Sequence, residues 1–118
     1  PTRRFALGAS GGRKIMPAVA QISGHLMEQG MSMQDAIEAP RIDASGGAQV
    51  VADERLAGPV ADALAENFPL ALAQRLPFPF AFACPAGVMR EGTTNSGTTE
   101  TMSPWGDGVA EPEPKKAP

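Results

Sequence analysis

Arg3-Arg4-Phe5-Ala6-Leu7-Gly8-Ala9-Ser10-Gly11-Gly12-Arg13-Lys14-Ile15-Met16 is the stretch that decides how this chain folds. The short apolar strand Phe5-Ala6-Leu7 runs into a glycine-rich turn. The turn opens a helix expected from about Lys14 to Gln29. Ile15, Val19, Ile22 and Leu26 recur at helical spacing, and Met16 and Met27 widen the stripe. Glycine lets a backbone turn sharply and approach a partner with no Cβ in the way. The first N–H groups of the helix have no internal acceptor and point into the turn, where they favour negative charge. The residues thus describe a backbone cradle for an anion or oxyanion or, on the plainer reading, only a tight strand-to-helix turn.

Outward from this stretch, Pro17 is tolerated in the first helical turn, and Gly30 suits the position just past the helix end. Ser32 caps a second helix, with Asp35 three residues on, and Met33, Ala36 and Ile37 form its buried side. Pro40 stops it. Residues 44–47 form a loop, and Gln49-Val50-Val51-Ala52 reads as a strand. Gly58-Pro59 starts a third helix, in which Val60, Leu64 and Phe68 lie on one face. Leu70 to Leu76 reads as a strand, as does the alternation Phe80, Phe82, Cys84, which is the expected exposed face or edge. Residues 93–101 are polar and rich in Gly and Thr, a loop or an edge. One domain over 1–110 precedes a tail, 111–118, that has nothing to bury and is expected to be disordered.

The composition fits one small domain. Of 118 residues, 42% are hydrophobic but only 5% aromatic, so the core is aliphatic. Thirteen Gly and twelve Pro predict many turns. A net charge of −3 with scattered basic residues argues against a nucleic-acid partner. No apolar run approaches the roughly 20 residues that span a bilayer. The chain starts at Pro1 with no initiator Met and no signal peptide, which suggests a processed fragment. The lone Cys84 forms no internal disulfide and leaves the compartment open.

Other motifs fail on their chemistry. Gly8-Ala9-Ser10-Gly11-Gly12 fits the G-x-S-x-G nucleophile elbow, which also needs an acid and then a His downstream. The single histidine, His25, sits on the polar face of the very next helix beside Gln21 and Gln29 and cannot reach back to Ser10; it reads as a solvated helix residue. A phosphate loop fails because Arg13 stands where glycine is required. No second His or Cys gives metal-ligand spacing, and nothing calls for a cofactor. Asp43, Asp53 and Glu54 read as loop and cap residues, and Met16, Met27, Met31 and Met33 as core filler.

Leu7-Gly8-Ala9-Ser10-Gly11-Gly12-Arg13-Lys14-Ile15 resembles the G-S-P-G-G-x-x-I signature of gamma-glutamyltranspeptidases. At the family's spacing, Gly30-Met31-Ser32-Met33-Gln34-Asp35-Ala36-Ile37-Glu38-Ala39-Pro40-Arg41-Ile42 resembles its G-M-S-x-x-E-A-x-x-A-P-R-I segment. Residues 43–110 match in pattern only, and Met102-Ser103-Pro104-Trp105 departs from the family's C-terminal G-x-x-D-P-R region. The resemblance implies an α/β (α+β) fold: about three helices on a mostly antiparallel sheet, part of the αββα sandwich of N-terminal-nucleophile hydrolases. In that family the precursor cleaves itself, and a new N-terminal Thr attacks a γ-glutamyl amide such as glutathione. The acyl group then passes to water or an amino acid. The oxyanion-hole amides fall on Gly11 and Gly12. Ser10 stands where the family often has Pro and is a candidate substrate contact. Each such backbone donor stabilises a tetrahedral intermediate by roughly 3 kcal/mol.

The T-T-H-x-S/T nucleophile segment and the large subunit with its substrate-binding Arg are not in this sequence. The resemblance therefore implies the C-terminal part of a small subunit. Its partners would be the large subunit and the N-terminal part of the small one, and it is expected to be inactive and self-associating when alone. The family is often periplasmic or extracellular. A related acylase and a non-catalytic assembly domain are the alternatives.

Overall fold

The computed structural model describes residues 2–77 and 81–111. Six strands and three helices follow in the order β1 (Arg3–Ser10), α1 (Ile15–Met27), α2 (Met33–Glu38), β2 (Ile42–Asp43), β3 (Val50–Asp53), α3 (Gly58–Asn67), β4 (Leu70–Ala73), β5 (Cys84–Glu91) and β6 (Thr94–Thr99). They make two three-stranded sheets. One is antiparallel, in the order β1-β5-β6, with Phe5 opposite Met89 and Leu7 opposite Gly87. In the other, β2 runs antiparallel to β3, and β3 parallel to β4. That parallel pair requires a crossover, which α3 provides.

Strand β1 is longer than its apolar run because its burial alternates over all eight residues. Odd-numbered positions from Arg3 to Ala9 face inward, and even-numbered ones face out. The inner side packs on α1 and α2. Ile22, Leu26, Met33, Ala36, Ile37 and Met89 form the core, with Phe5, Leu7 and Met31 against it. Full burial of side chains such as Ile22 or Ile37, each 0% exposed, contributes about 1.5–3 kcal/mol apiece. Met33 lies over Gly87, whose lack of a Cβ leaves room for the thioether.

The second helix begins as its sequence dictates. The Ser32 hydroxyl accepts a 3.0 Å hydrogen bond from the Asp35 N–H, and Ala39, before Pro40, leaves helical space at ψ 143°. Several expectations are corrected. Met16 and Met27 are 76% and 68% exposed, so they are not core filler. They fall off the Ala18–Ile22–Leu26 row that α1 buries. Helix α3 buries no residue, and Val60 and Phe68 stay exposed. The strand expected to 76 ends at Ala73. Phe82 precedes β5 and is buried rather than exposed, and Cys84 opens that strand half-buried. Phe80 and the tail from 112 onward lie outside the described residues. The Thr-rich segment forms β6, an edge strand.

Candidate functional site

The glycine turn follows β1 directly. Gly11 has φ 140° and Gly12 φ 58°, backbone that side-chain-bearing residues avoid. A Cβ on Gly11 would stand 2.9 Å from Ala83 Cα, whereas one on Gly12 would meet nothing within 4 Å. Residues Gly12–Lys14 form a single 3-10 turn leading into α1, closed by a hydrogen bond from Lys14 N–H to Gly11 C=O at 3.2 Å. Among the described turn and cap hydrogen bonds, neither Gly11 N–H nor Gly12 N–H donates to a carbonyl. Both residues are exposed. Ser10 is exposed at the end of β1, opposite Cys84.

Beside this turn lies a cavity of about 540 Å³, bounded by Gly11, Arg13, Lys14, Asp43 and the loop 45–49. Gln21 holds its far wall in place. Its side chain accepts from Ile42 N–H at 2.9 Å and donates back to Ile42 C=O at 2.7 Å, so α1 carries β2 as another strand would. This brings Asp43 to Lys14, whose ammonium lies 3.5 Å from Asp43 Oδ2 and donates to Ala81 C=O at 2.9 Å. The sequence reading placed Asp43 in a loop and Gln21 on a polar helix face. Asp43 lies instead in β2, 8% exposed. His25 behaves as expected, with Nδ1 3.0 Å from Gln29 Oε1 one turn on. Among the described residues no group of three His, Cys, Asp or Glu could hold a metal, and no helix is long and apolar enough to cross a membrane.

Behind the site, three arginines converge on the C-terminal end of α2. Its last carbonyls have no helical partner and carry the negative end of the helix dipole. Arg41 Nη1 donates to Ile37 C=O at 2.7 Å, Arg75 to Ile37 and Glu38 C=O at 3.0 and 2.8 Å, and Arg55 to Glu38 C=O at 3.0 Å. Glu100, 1% exposed, bridges two of these cations, with Oε2 3.2 Å from Arg41 Nη2 and Oε1 2.6 Å from Arg75 Nη2. Burial pulls the Arg41 guanidinium below the usual arginine range, against the opposing hydrogen bond and charge of Glu100. This cluster fixes Arg41 and Ala83, since Arg41 Nη2 also donates to Ala83 C=O at 3.2 Å. Ala83 in turn backs Gly11. Cys84 is next in the chain, and burial, then the charge of Glu100, raises its thiol.

Asp53, expected with Asp43 and Glu54 to be a loop or cap residue, ends β3 at 2% exposure, and its Oδ1 accepts from Arg55 N–H at 2.9 Å as a capping residue's would. Burial raises its carboxyl, but hydrogen bonds from the Arg55 side chain and N–H outweigh this and hold it below the usual carboxylate range. A carboxyl lowered by folding contributes stability above its unfolded value and loses it as pH falls through the folded one. The urea midpoint is therefore expected to fall as pH drops from about 5 to 3, and Asp53→Asn should flatten that slope. An identical slope in the variant would show that Asp53 has no share in it.

Comparison with known proteins fits this geometry. A highly active mutant of gamma-glutamyltranspeptidase from Pseudomonas nitroreducens superposes with a TM-score of 0.69 at 18% identity, over 92% of this chain and 56% of that one. Cephalosporin acylase from Bacillus halodurans gives 0.71 at 24% identity, over 87% and 19%. These likenesses show that the chain shares its fold with parts of those structures. In sequence, the Acylase ACY 1 proenzyme of Pseudomonas sp. (strain SE83) is 44% identical over 43 residues, 36% of this chain and 8% of that protein. The chain thus spans only part of the relatives it matches. A family model described as Gamma-glutamyltranspeptidase matches residues 2–101, and the chain belongs to that family.

Proposed function

We propose that this chain supplies the oxyanion-hole turn of an enzyme that transfers or hydrolyses γ-glutamyl groups, with Gly11 and Gly12 N–H as the donors. The supporting observation is the turn itself: two glycines at positive φ, with exposed amides that donate to no described carbonyl. Donors held in this way cost no reorganisation when negative charge develops on a substrate oxygen. Ser10, exposed at the end of β1 just before the turn, is the candidate side chain for a substrate contact. The nucleophile and the substrate-carboxylate clamp come from the remainder of the parent enzyme.

The chain alone is expected to turn over no γ-glutamyl anilide, and co-expression with that remainder should give activity. Turnover by the purified chain that survives Thr2→Ala would overturn this assignment. Two acylases among the relatives favour a second reading, in which the complete enzyme cleaves a different acyl amide. Assaying the complete enzyme side by side on a γ-glutamyl anilide and a cephalosporin side-chain amide separates the two.

Self-association of the isolated chain belongs to the same reading. With Phe82 buried, the apolar residues available for it are Val60 of α3, Phe68 just past that helix, Leu72 of β4 and Leu76 beyond β4, which are 49–61% exposed. Light scattering is expected to show species larger than a monomer, and Phe68→Ser with Leu72→Ser to reduce them. A clean monomer at high concentration would contradict it.

A further inference from the structure

We propose that Asp107-Gly108 is a site of spontaneous isoaspartate formation, and that this change releases segment 106–111 from the outer face of the β1-β5-β6 sheet. Among the Asp residues of the chain, Asp107 alone precedes Gly; Asp35, Asp43 and Asp62 precede Ala, and Asp53 precedes Glu. Without a Cβ on Gly108, its nitrogen can approach the preceding side chain unhindered. The structure holds the two groups together. Gly108 N–H donates to Asp107 Oδ1 at 2.8 Å, and Asp107 is exposed to water. The nitrogen therefore lies beside Cγ, the carbon that bears this oxygen. Gly108 N forms a bond to Asp107 Cγ, and one Cγ–O bond breaks. That oxygen leaves as water, with the amide proton and the proton of the neutral carboxyl. Water then adds to the Asp107 main-chain carbonyl of the five-membered imide and breaks its bond to Gly108 N. The main chain now runs through Cβ and Cγ, the former carbonyl is a free α-carboxylate, and the mass is unchanged.

The added length falls where the backbone has no slack. Segment 106–111 crosses the sheet on the side away from α1 and α2, where Val88 of β5 stands opposite Gly97 of β6. Val109 borders two cavities on that face, of about 440 and 390 Å³, the first reaching Arg4 and Arg90 and the second Gly8 and Ala86. The contact is close and built on glycine. A Cβ on Gly97 would stand 3.2 Å from the Val109 backbone, one on Gly108 would run into the Thr98 backbone, and one on Gly106 would crowd the Thr99 side chain. Both ends are tied: Gly106 N–H donates to Ser103 C=O at 3.4 Å, and Asn95 Nδ2 to Glu111 C=O at 3.5 Å. Isoaspartate inserts one further carbon–carbon bond, about 1.5 Å, between Gly106 and Gly108. Neither glycine can move inward, so the segment lifts off β6 and bares the row of Ala6, Val88 and Gly97. The inference stands on this segment alone and holds whether or not the glycine turn stabilises an oxyanion.

The test is to age the purified chain for several weeks in warm buffer and then treat it with an isoaspartyl carboxyl methyltransferase and a labelled methyl donor. Fragmentation mass spectrometry locates the label residue by residue. Label is expected at position 107, rising with time and exceeding that at every other Asp. Asp107→Glu, an exposed change, is expected to lose it entirely, because the longer side chain would have to close a six-membered ring. In the aged wild-type chain the amide NMR signals of Gly97 and Thr98 are expected to split into fresh and isomerised sets, and in aged Asp107→Glu to stay single. No label at 107, as much label at another Asp, or label at 107 that persists in Asp107→Glu would overturn the site. Label at 107 with the Gly97 and Thr98 signals unmoved would overturn the release of the segment.

Discussion

Glu100→Ala is expected to cost about 3–5 kcal/mol of folding stability and to lower the thermal midpoint by at least roughly 12 °C. Glu100 is 1% exposed and lies between Arg41 and Arg75, whose side chains are 3% and 8% exposed. Removing it leaves two buried guanidinium groups facing each other with no counter-charge. Neither can retreat, because both are also tied to the end of α2 through Ile37 C=O. The penalty is therefore that of buried uncompensated charge rather than the small loss of a surface pair. Glu100→Gln keeps one acceptor but loses the charge and sets an amide donor against the other guanidinium, so its midpoint should lie between those of the wild type and the alanine variant. Raising the salt concentration should narrow these gaps little, since the pair is shielded from solvent ions. Thermal unfolding followed by circular dichroism measures all of this. A loss under about 1 kcal/mol would mean that water reaches the cluster.

In the complete enzyme, Gly11→Ala is expected to reduce kcat by about 10²–10³, while Gly12→Ala reduces it by less than about tenfold. The structure separates the two glycines. A Cβ at Gly11 would stand 2.9 Å from Ala83 Cα. That backbone cannot yield easily, because Ala83 C=O is held by Arg41. The turn must move, and the amides with it. At Gly12 the added methyl meets nothing within 4 Å, and the remaining cost is that of placing alanine at φ 58°, about 1–2 kcal/mol in the folded state. Gly12→Pro would not be a clean probe, because proline fixes φ near −65° and would reshape the turn rather than delete one donor. The thermal midpoint of each variant serves as a control. If Gly11→Ala kept full kcat while folded, the turn would be only structural, and the oxyanion role would fall.

What the sequence determined by itself is local. Gly11-Gly12 between an apolar strand and an amphipathic row dictates a strand, a turn and a helix, and these appear as β1, the glycine turn and α1. Ser32, Asp35 and Pro40 set both ends of α2 through hydrogen bonds and sterics that span four residues at most. The two family-like blocks, 7–15 and 30–42, lie within these same elements. Tertiary structure alone decided which charges are buried and whom they meet. Glu100 finds Arg41 across 59 positions and Arg75 across 25, and no periodicity marks a charged residue as internal. Asp43 looked like a loop residue because β2 has only two residues, and its burial comes from Gln21 of α1 holding the strand edge. Phe82 and Cys84 alternate as an exposed strand would, yet Phe82 turns inward just before β5 begins. The apolar row of α3 predicts a helix correctly but not a partner for it, since a period records that one face is apolar and not what covers it. Local geometry follows from the nearest few residues, whereas the cavity wall and the cation cluster exist only once distant segments have packed.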